Sequence, residues 1–510
     1  MKKLPIGIQD FKKLREQNLL YVDKTQHIHQ LVDEGNYFFL ARPRRFGKSL
    51  LVSTLAELFK GSKKLFDGLW IEDQWDWTQT HPVIEIRFNE SAYKDIGLLN
   101  DINRRLEEIA KEYEITLSEE NYVLRFRELI LALSAQFGKV VLLIDEYDKP
   151  IIDYLEDIPK AKEQRNILKG FYSVLKPLDA NIRFVFLTGV SKFSRVSIFS
   201  ELNNLLDLTL HSDYADLFGY TQQELEYYFA DRIEAIADEF GGKAALLNEI
   251  KSWYNGYTWD TTHYVYNPFS ILNFFSKRTF QNYWFETGTP TFLIKLLREQ
   301  GVYDVSHIET SYASFDSYEL DRISYTSLLF QTGYLTIKED LGYGLFVLGY
   351  PNKEVRASML HYLIADYVDG DQGAAAAPAL QMLRALDVGN TEQVKVQINA
   401  ILGAIPYNLH QKNESYYHTV MHLAFSLIGA HVQSEIHVAK GRLDTIVHAK
   451  QDIYIFEFKT NSSAEEAMAQ IKEMGYAQPY LGNDKPVIGI GVSFNTELRE
   501  IDSWLVEKLS

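Results

Sequence analysis

Cysteine is absent from all 510 residues, which removes disulfides, Cys-based zinc sites and thiol redox chemistry and fits a reducing cytoplasm. Long apolar runs are missing too. No stretch approaches the roughly 20 apolar residues that a membrane span needs, and residues 1–20 are polar and of mixed charge, without the apolar centre of a signal peptide. A cytoplasmic protein with no membrane partner is expected. Basic character is scarce: 52 Lys and Arg face 69 Asp and Glu, the net charge is −17, and there is no basic tail. Indiscriminate binding to nucleic acid draws its affinity from phosphate neutralisation and counterion release, so this balance argues against it. Any nucleic-acid contact must be local. No internal repeat is visible, and DGDQGAAAAPAL at 369–380 is the single low-complexity patch.

What is present is a chain of 59.0 kDa with 46% hydrophobic residues, enough for two to four globular domains. Near its end, GRLDTIVHAKQDIYIFEFK at 441–459 reads as two adjacent strands carrying Asp444, Glu457 and Lys459. Strand faces alternate with period two, so Glu457 and Lys459 point the same way, and a short hairpin lays Asp444 beside them. Two carboxylates and an ammonium then converge. Carboxylate oxygens suit Mg²⁺, and a lysine can hold the attacking water or offset charge on a phosphate, which is the chemistry of a metal-dependent phosphodiesterase. Charged residues alternating on an edge strand are the ordinary alternative. Ile453, Ile455, Phe456 and Phe458 argue instead for a central strand, where Glu457 and Lys459 are costly unless paired or metal-bound.

Upstream, NYFFLARPRRFGKSLLVSTLAELF at 36–59 reads as a buried strand, a loop and a helix, with Gly47, Lys48 and Ser49 at the junction. This is a variant phosphate-binding loop: backbone N–H groups and the helix N-terminus hold phosphates, Lys48 reaches the β- and γ-phosphates, and the Ser49 hydroxyl binds Mg²⁺. Arg42 stands where the usual pattern has its first glycine. The loop also holds Pro43, Arg44, Arg45 and Phe46, and RPRR, the densest basic cluster in the chain, is assigned to ATP before DNA. KVVLLIDEYDKP at 139–150 supplies the partner strand, with Asp145 expected on Mg²⁺ and Glu146 as the base that polarises the attacking water. RFVFLTG at 183–189 offers Thr188 as a γ-phosphate sensor, with Lys192 and Arg195 just beyond and Arg195 a candidate sensor or finger from a neighbouring subunit.

Taken together these residues resemble a prokaryotic family described as a predicted AAA-type ATPase fused to a C-terminal PD-(D/E)XK nuclease domain. The likeness runs through YVDKT (21–25), RPRRFGKS (42–49), LLIDEYDKP (142–150), LTGVSKFSRVSIFSELNN (187–204), WYNGY (253–257), YNPFSILNF (266–274), QTGYLTI (331–337) and YPNKEVR (350–356). It ends with GRLD, IFEFK and AMAQIKEMGYAQPY (467–480). In that family an arginine at the position of Arg42 belongs to the pattern. The resemblance also implies an acid on the helix before the nuclease sheet, here Glu414, and a Gln on the following helix, here Gln470, accompanied by Tyr476 and Tyr480. Glu435 is a further candidate or equally a surface charge. His418 and His422 lie at i, i+4 on an apolar helix without a third ligand, and with them and His431 packing is favoured over metal binding.

The expected fold class is α/β: a P-loop NTPase parallel-sheet domain over 1–205, a helical lid and winged-helix-like region over 206–350, a helical connector over 351–406 and a restriction-endonuclease-like α/β nuclease domain over 407–510. Within the last, a helix over 415–429, strands near 431–438, 442–449 and 452–459, a helix over 464–477 and a strand at PVIGIGVSF are expected. The aromatics of the middle region lack basic neighbours, so core packing is favoured over base stacking. The implied function is ATP binding and hydrolysis with Mg²⁺, coupled to cleavage of nucleic acid, DNA before RNA, with Mg²⁺ or Mn²⁺, in a homo-oligomer. The alternative is a nucleotide-dependent switch whose nuclease fold binds nucleic acid or a protein without cutting it. A DNA motor is a third reading, but no helicase motifs accompany the two nucleotide-binding elements.

Overall fold

The computed structural model describes residues 1–90, 92–192, 204–284, 291–300, 302, 304–315, 320, 324–367, 372–405, 414–431, 436–438, 444–480, 482 and 485–509. They form two compact units, one of residues 1–288 with 305–352 and one of 289–304 with 353–510.

The first unit is built on a five-stranded sheet of β1 (Tyr37–Ala41), β2 (Val83–Arg87), β3 (Val140–Asp145), β4 (Ile182–Gly189) and β5 (Leu206–Asp207). The order is β2-β3-β4-β1-β5 and every pairing is parallel. All five residues of β1 and all six of β3 are buried, as expected of strands covered on both faces. Helix Lys48–Phe59 follows β1, and its N-cap Gly47 sits at φ +96°, a left-handed conformation that glycine adopts without a steric penalty. The loops that leave the carboxyl ends of β1, β3 and β4 therefore gather on one edge of the sheet, where ligands bind in folds of this kind.

Helices Gln222–Tyr228, Ala230–Ile236, Lys243–Tyr254 and Pro268–Lys277 close on a core that includes Phe229, Tyr254, Tyr266 and Phe274, and Leu20 and Val22 from the start of the chain pack into the same core. This shared core keeps the residues on either side of position 205 in one unit. Helix Tyr325–Thr332 lies in the chain between β6 (Ile308–Ser311) and β7 (Thr336–Gly342), and with β8 (Leu345–Gly349) these strands form a three-stranded antiparallel sheet ordered β6-β8-β7.

The second unit centres on β9 (Ile436–Val438), β10 (Asp444–His448), β11 (Ile453–Thr460), β12 (Val487–Asn495) and β13 (Glu500–Lys508), ordered β13-β12-β11-β10-β9. Only β11 and β12 run parallel. A parallel pair needs a crossover, and helix Ala464–Glu473 provides it. That helix lies so close to β12 that a Cβ on Gly491 would stand 2.3 Å from the Ala464 carbonyl oxygen. β13 was not anticipated. Only Ile501 of its residues is buried, and Ser503, Trp504 and Leu505 are half-buried in succession, which leaves a weak period-two signal.

Helices Lys353–Tyr367, Gln372–Asp387, Thr391–Gly403 and Glu414–His431 belong to the same unit. The alanine run of the low-complexity patch lies within Gln372–Asp387, consistent with alanine's helix preference outweighing an interior Pro378. Among the described residues no helix is long and apolar enough to cross a membrane.

Candidate functional site

In the first unit a cleft of about 420 Å³ opens at the carboxyl edge of the sheet. Its lining includes the polar residues Arg44, Arg45, Lys48, Ser49, Glu146 and Lys149 and the apolar residues Pro5, Ile8, Pro268, Phe269 and Leu272, with Gly47 and Tyr220. The lining therefore combines cationic side chains with apolar ones, the Arg45 guanidinium facing the Phe269 ring. The Lys48 ammonium is buried and donates to the carbonyls of Arg42 (3.0 Å) and Pro43 (2.9 Å). Burial pushes its pKa down, while Glu146, Asp145 and Asp148 pull it up.

Asp145 ends β3 fully buried, and neither carboxylate oxygen has a hydrogen-bond partner of ordinary geometry. Burial pushes its carboxyl up to about 6, although Ser49 and Lys48 oppose the rise. An ionised carboxylate held this way lacks the compensation that a buried charge requires, and the donor set beside it, with the Ser49 hydroxyl, fits a hard divalent cation. Glu146 follows at φ +52°, a left-handed conformation unusual for a side chain with a Cβ and frequent at functional sites.

Two residues later Asp148 was not singled out from the sequence, yet it braces the site. Its buried carboxylate accepts from the backbone N–H groups of Val190 (3.1 Å) and Ser191 (2.7 Å) and from the Ser191 hydroxyl (2.6 Å). The strut fixes the end of β4 against the turn after β3, and Gly189 is obligatory there, since a Cβ would lie 2.5 Å from Asp148 Oδ1.

Four residues expected to meet the nucleotide use their side chains otherwise. Arg42 is buried, and its guanidinium donates to the carbonyls of Ala41 (3.0 Å), Thr209 (2.8 Å) and Tyr214 (3.2 Å) and stacks 3.9 Å from the centroid of the Trp259 ring. Burial lowers its pKa to about 9 against the pull of Asp207 and Asp260. A group so engaged anchors the loop from behind and does not line the cleft. Pro43 packs on Gly333, where a Cβ would approach it to 2.6 Å, and Phe46 meets the rings of Tyr257 (4.9 Å) and Trp259 (5.7 Å). The Thr188 hydroxyl donates to the Leu40 carbonyl on β1 (2.9 Å). Lys192 is buried in an ion pair with Asp207 (2.9 Å). Arg195 lies outside the described residues.

By contrast Arg44 and Arg45 line the cleft, and neither forms an ion pair among the described residues. The Arg44 carbonyl accepts from Trp284 Nε1 (2.9 Å), and the Arg45 guanidinium faces the Phe269 ring at 5.0 Å. The segments WYNGY, YNPFSILNF and QTGYLTI thus wrap the phosphate loop, so the middle-region aromatics named here are packing groups.

In the second unit β11 is the central strand. On one face Phe456 and Phe458 pack against Phe425 of helix Glu414–His431. On the other, Ile453 and Ile455 pack with Met468 and Ile471 of helix Ala464–Glu473. Glu457 and Lys459 continue this second face beyond the apolar cluster. Glu457 is 3% exposed, and the Lys459 ammonium bridges Glu457 Oε1 (3.1 Å) and Gln470 Oε1 (2.6 Å). The register sets Asp444 directly opposite Glu457 across β10 and β11. The side chains of Asp444, Glu414, His418 and His431, like all of Glu435, lie outside the described residues. Tyr476 packs against the cluster under the helix and Tyr480 meets the His448 ring at 5.2 Å. Burial pushes the His422 pKa down, as in a packed helix.

A nucleotide-type α/β cleft in one unit and a carboxylate–lysine–glutamine cluster on a mixed sheet in the other define an ATPase-like protein carrying a nuclease fold. Residues 5–199 match the family described as predicted AAA-ATPase, and residues 412–504 match the PD-(D/E)XK nuclease superfamily. An uncharacterized protein in the vnfD 5′ region of Azotobacter chroococcum mcd 1 is 39% identical over 526 residues, which cover 100% of this chain and 99% of that protein. The chain belongs to the family that joins a predicted AAA-type ATPase to a C-terminal PD-(D/E)XK nuclease domain. Domains of these two kinds use a nucleotide and a divalent metal.

Proposed function

We propose that the first unit binds and hydrolyses ATP and that the second cuts phosphodiester bonds in nucleic acid, with DNA the preferred substrate. The observation that carries the nuclease reading is the Lys459 ammonium held between Glu457 and Gln470 on the central strand, with Asp444 in register opposite. Asp444 and Glu457 hold Mg²⁺ or Mn²⁺, with Glu414 as an additional ligand, and Lys459 orients the attacking water and offsets charge on the scissile phosphate. Gln470 positions Lys459. A divalent metal at such a site lowers the pKa of water and neutralises phosphate charge.

In the cleft, Lys48 leaves its loop carbonyls for the β- and γ-phosphates, Ser49 and Asp145 hold Mg²⁺, and Glu146 accepts a proton from the attacking water. Arg44, Arg45 and the backbone N–H groups around Gly47 take the remaining phosphate charge, while the lining residues Pro5, Tyr220 and Phe269 receive the base. A homo-oligomer in which Arg195 reaches a neighbour's site completes the proposal, and the cysteine-free composition supports a cytoplasmic setting.

Calorimetry on the full chain tests the nucleotide reading. Lys48→Ala should lose ATP binding and Glu146→Gln should keep it while losing hydrolysis. Unchanged ATP affinity in Lys48→Ala would overturn it.

A further inference from the structure

One cation in the cleft has no place in the scheme so far. Lys149 opens the short helix Lys149–Ile152, three residues after Glu146, and lines the cleft with it. At rest its ammonium lies 3.2 Å from both carboxylate oxygens of Asp153. That carboxylate is over-supplied: Lys94 approaches Asp153 Oδ2 to 2.7 Å and the Tyr93 hydroxyl donates to the same oxygen at 2.7 Å. Departure of Lys149 therefore leaves Asp153, only 12% exposed, with an ammonium and a phenol still bound. The usual penalty for stripping a partner from a buried carboxylate is largely avoided. Lys94, 58% exposed, is not among the residues lining the cleft, so the two lysines that share Asp153 differ in what they can reach.

We propose that Lys149 is a second phosphate lysine, released from Asp153 to the γ-phosphate when ATP binds. The inference rests on the reading of this cleft as an ATPase site. In hydrolysis the water oxygen bonds to the γ-phosphorus, the bond to the β,γ-bridging oxygen breaks, and the water proton passes to Glu146. ADP and phosphate leave. Lys149 donates to a γ-phosphate oxygen throughout, from the same chain as the base, so the site gains a charge that a neighbouring subunit need not supply.

ATP and ADP affinities, measured in a Glu146→Gln background so that ATP persists, and steady-state hydrolysis in the otherwise native chain test this directly. Lys149→Met should lower the preference for ATP over ADP about tenfold with ADP affinity unchanged, and should lower kcat at least tenfold. Lys149→Arg should restore most of the ATP preference, and Lys94→Met should match the wild type in both measurements. An unaltered ATP-to-ADP ratio in Lys149→Met overturns the proposal. So does an equal loss in Lys94→Met, which would assign the effect to Asp153 and the fold. A wild-type chain that binds no ATP would overturn the nucleotide reading itself, and the lysine's role with it.

Discussion

Asp145→Asn separates a carboxylate kept for a cation from one used for structure. The Asp145 carboxyl is raised by burial from 3.8 to about 6. A group whose folded pKa exceeds its unfolded value costs stability as pH rises through the folded pKa and is relieved as pH falls. With those two values, the contribution lost by the apo protein between pH 5 and pH 7.5 is on the order of 1 kcal/mol. For a unit of this size that is a shift of about 1–2 °C in the unfolding midpoint. The assay is thermal unfolding of wild type and Asp145→Asn in chelator at both pH values. The wild type should lose on the order of 1 kcal/mol relative to the variant on going to pH 7.5. Comparing two pH values cancels the constant cost of burying the variant's amide. Mg²⁺ with ATP should then stabilise the wild type at pH 7.5, less so at pH 5 where the proton competes, and should fail to produce this gain in Asp145→Asn. A wild-type-minus-variant difference that stays flat between the two pH values would mean the carboxylate is not held against its ionisation.

Asp148→Ala leaves two backbone N–H groups and a hydroxyl of the β4 turn without their acceptor. At about 1–3 kcal/mol for each orphaned buried donor it should destabilise the chain by several kcal/mol, checked by urea unfolding. Gln470→Ala removes the acceptor that shares the Lys459 ammonium. Cleavage should fall about tenfold while the affinity for Mn²⁺, measured by calorimetry, stays within about twofold, since Gln470 acts on the lysine and not on the metal.

The strand-to-helix junction at Gly47, Lys48 and Ser49 and the acidic end of β3 were legible because each is encoded within a dozen consecutive residues. The same holds for Glu457 and Lys459, whose period-two spacing on an apolar strand survives intact in β11. Gln470 came from family resemblance, and the structure brings its side chain to Lys459. The environment of the loop was not legible. Arg42, read as a phosphate contact from its place in a basic cluster, is turned behind the loop by Trp259, Thr209 and Tyr214, residues at least 167 positions away that carry no local signal. Asp148 sits in the same acidic run as Asp145 and Glu146, and only the position of β4 shows that it braces backbone and not a ligand. Gly333 did leave a trace, as the glycine of QTGY, but its reason, contact with Pro43, lies across the fold.

A chain with a nucleotide site and a separate cutting site should cleave nucleic acid with a divalent metal, and the full chain is the preparation to assay. Purified wild type, Asp444→Ala, Glu457→Ala and Lys48→Ala would be incubated with single- and double-stranded DNA and RNA, with Mg²⁺, Mn²⁺ or chelator and with or without ATP. ATP hydrolysis would be followed in parallel. The wild type should cleave in a metal-dependent way, Asp444→Ala and Glu457→Ala should lose cleavage while retaining ATP hydrolysis, and Lys48→Ala should lose hydrolysis. Cleavage by Asp444→Ala and Glu457→Ala at the wild-type rate, or a wild type that cuts none of these substrates with either metal, would contradict the cutting site and leave the second unit as the binding domain of a nucleotide switch.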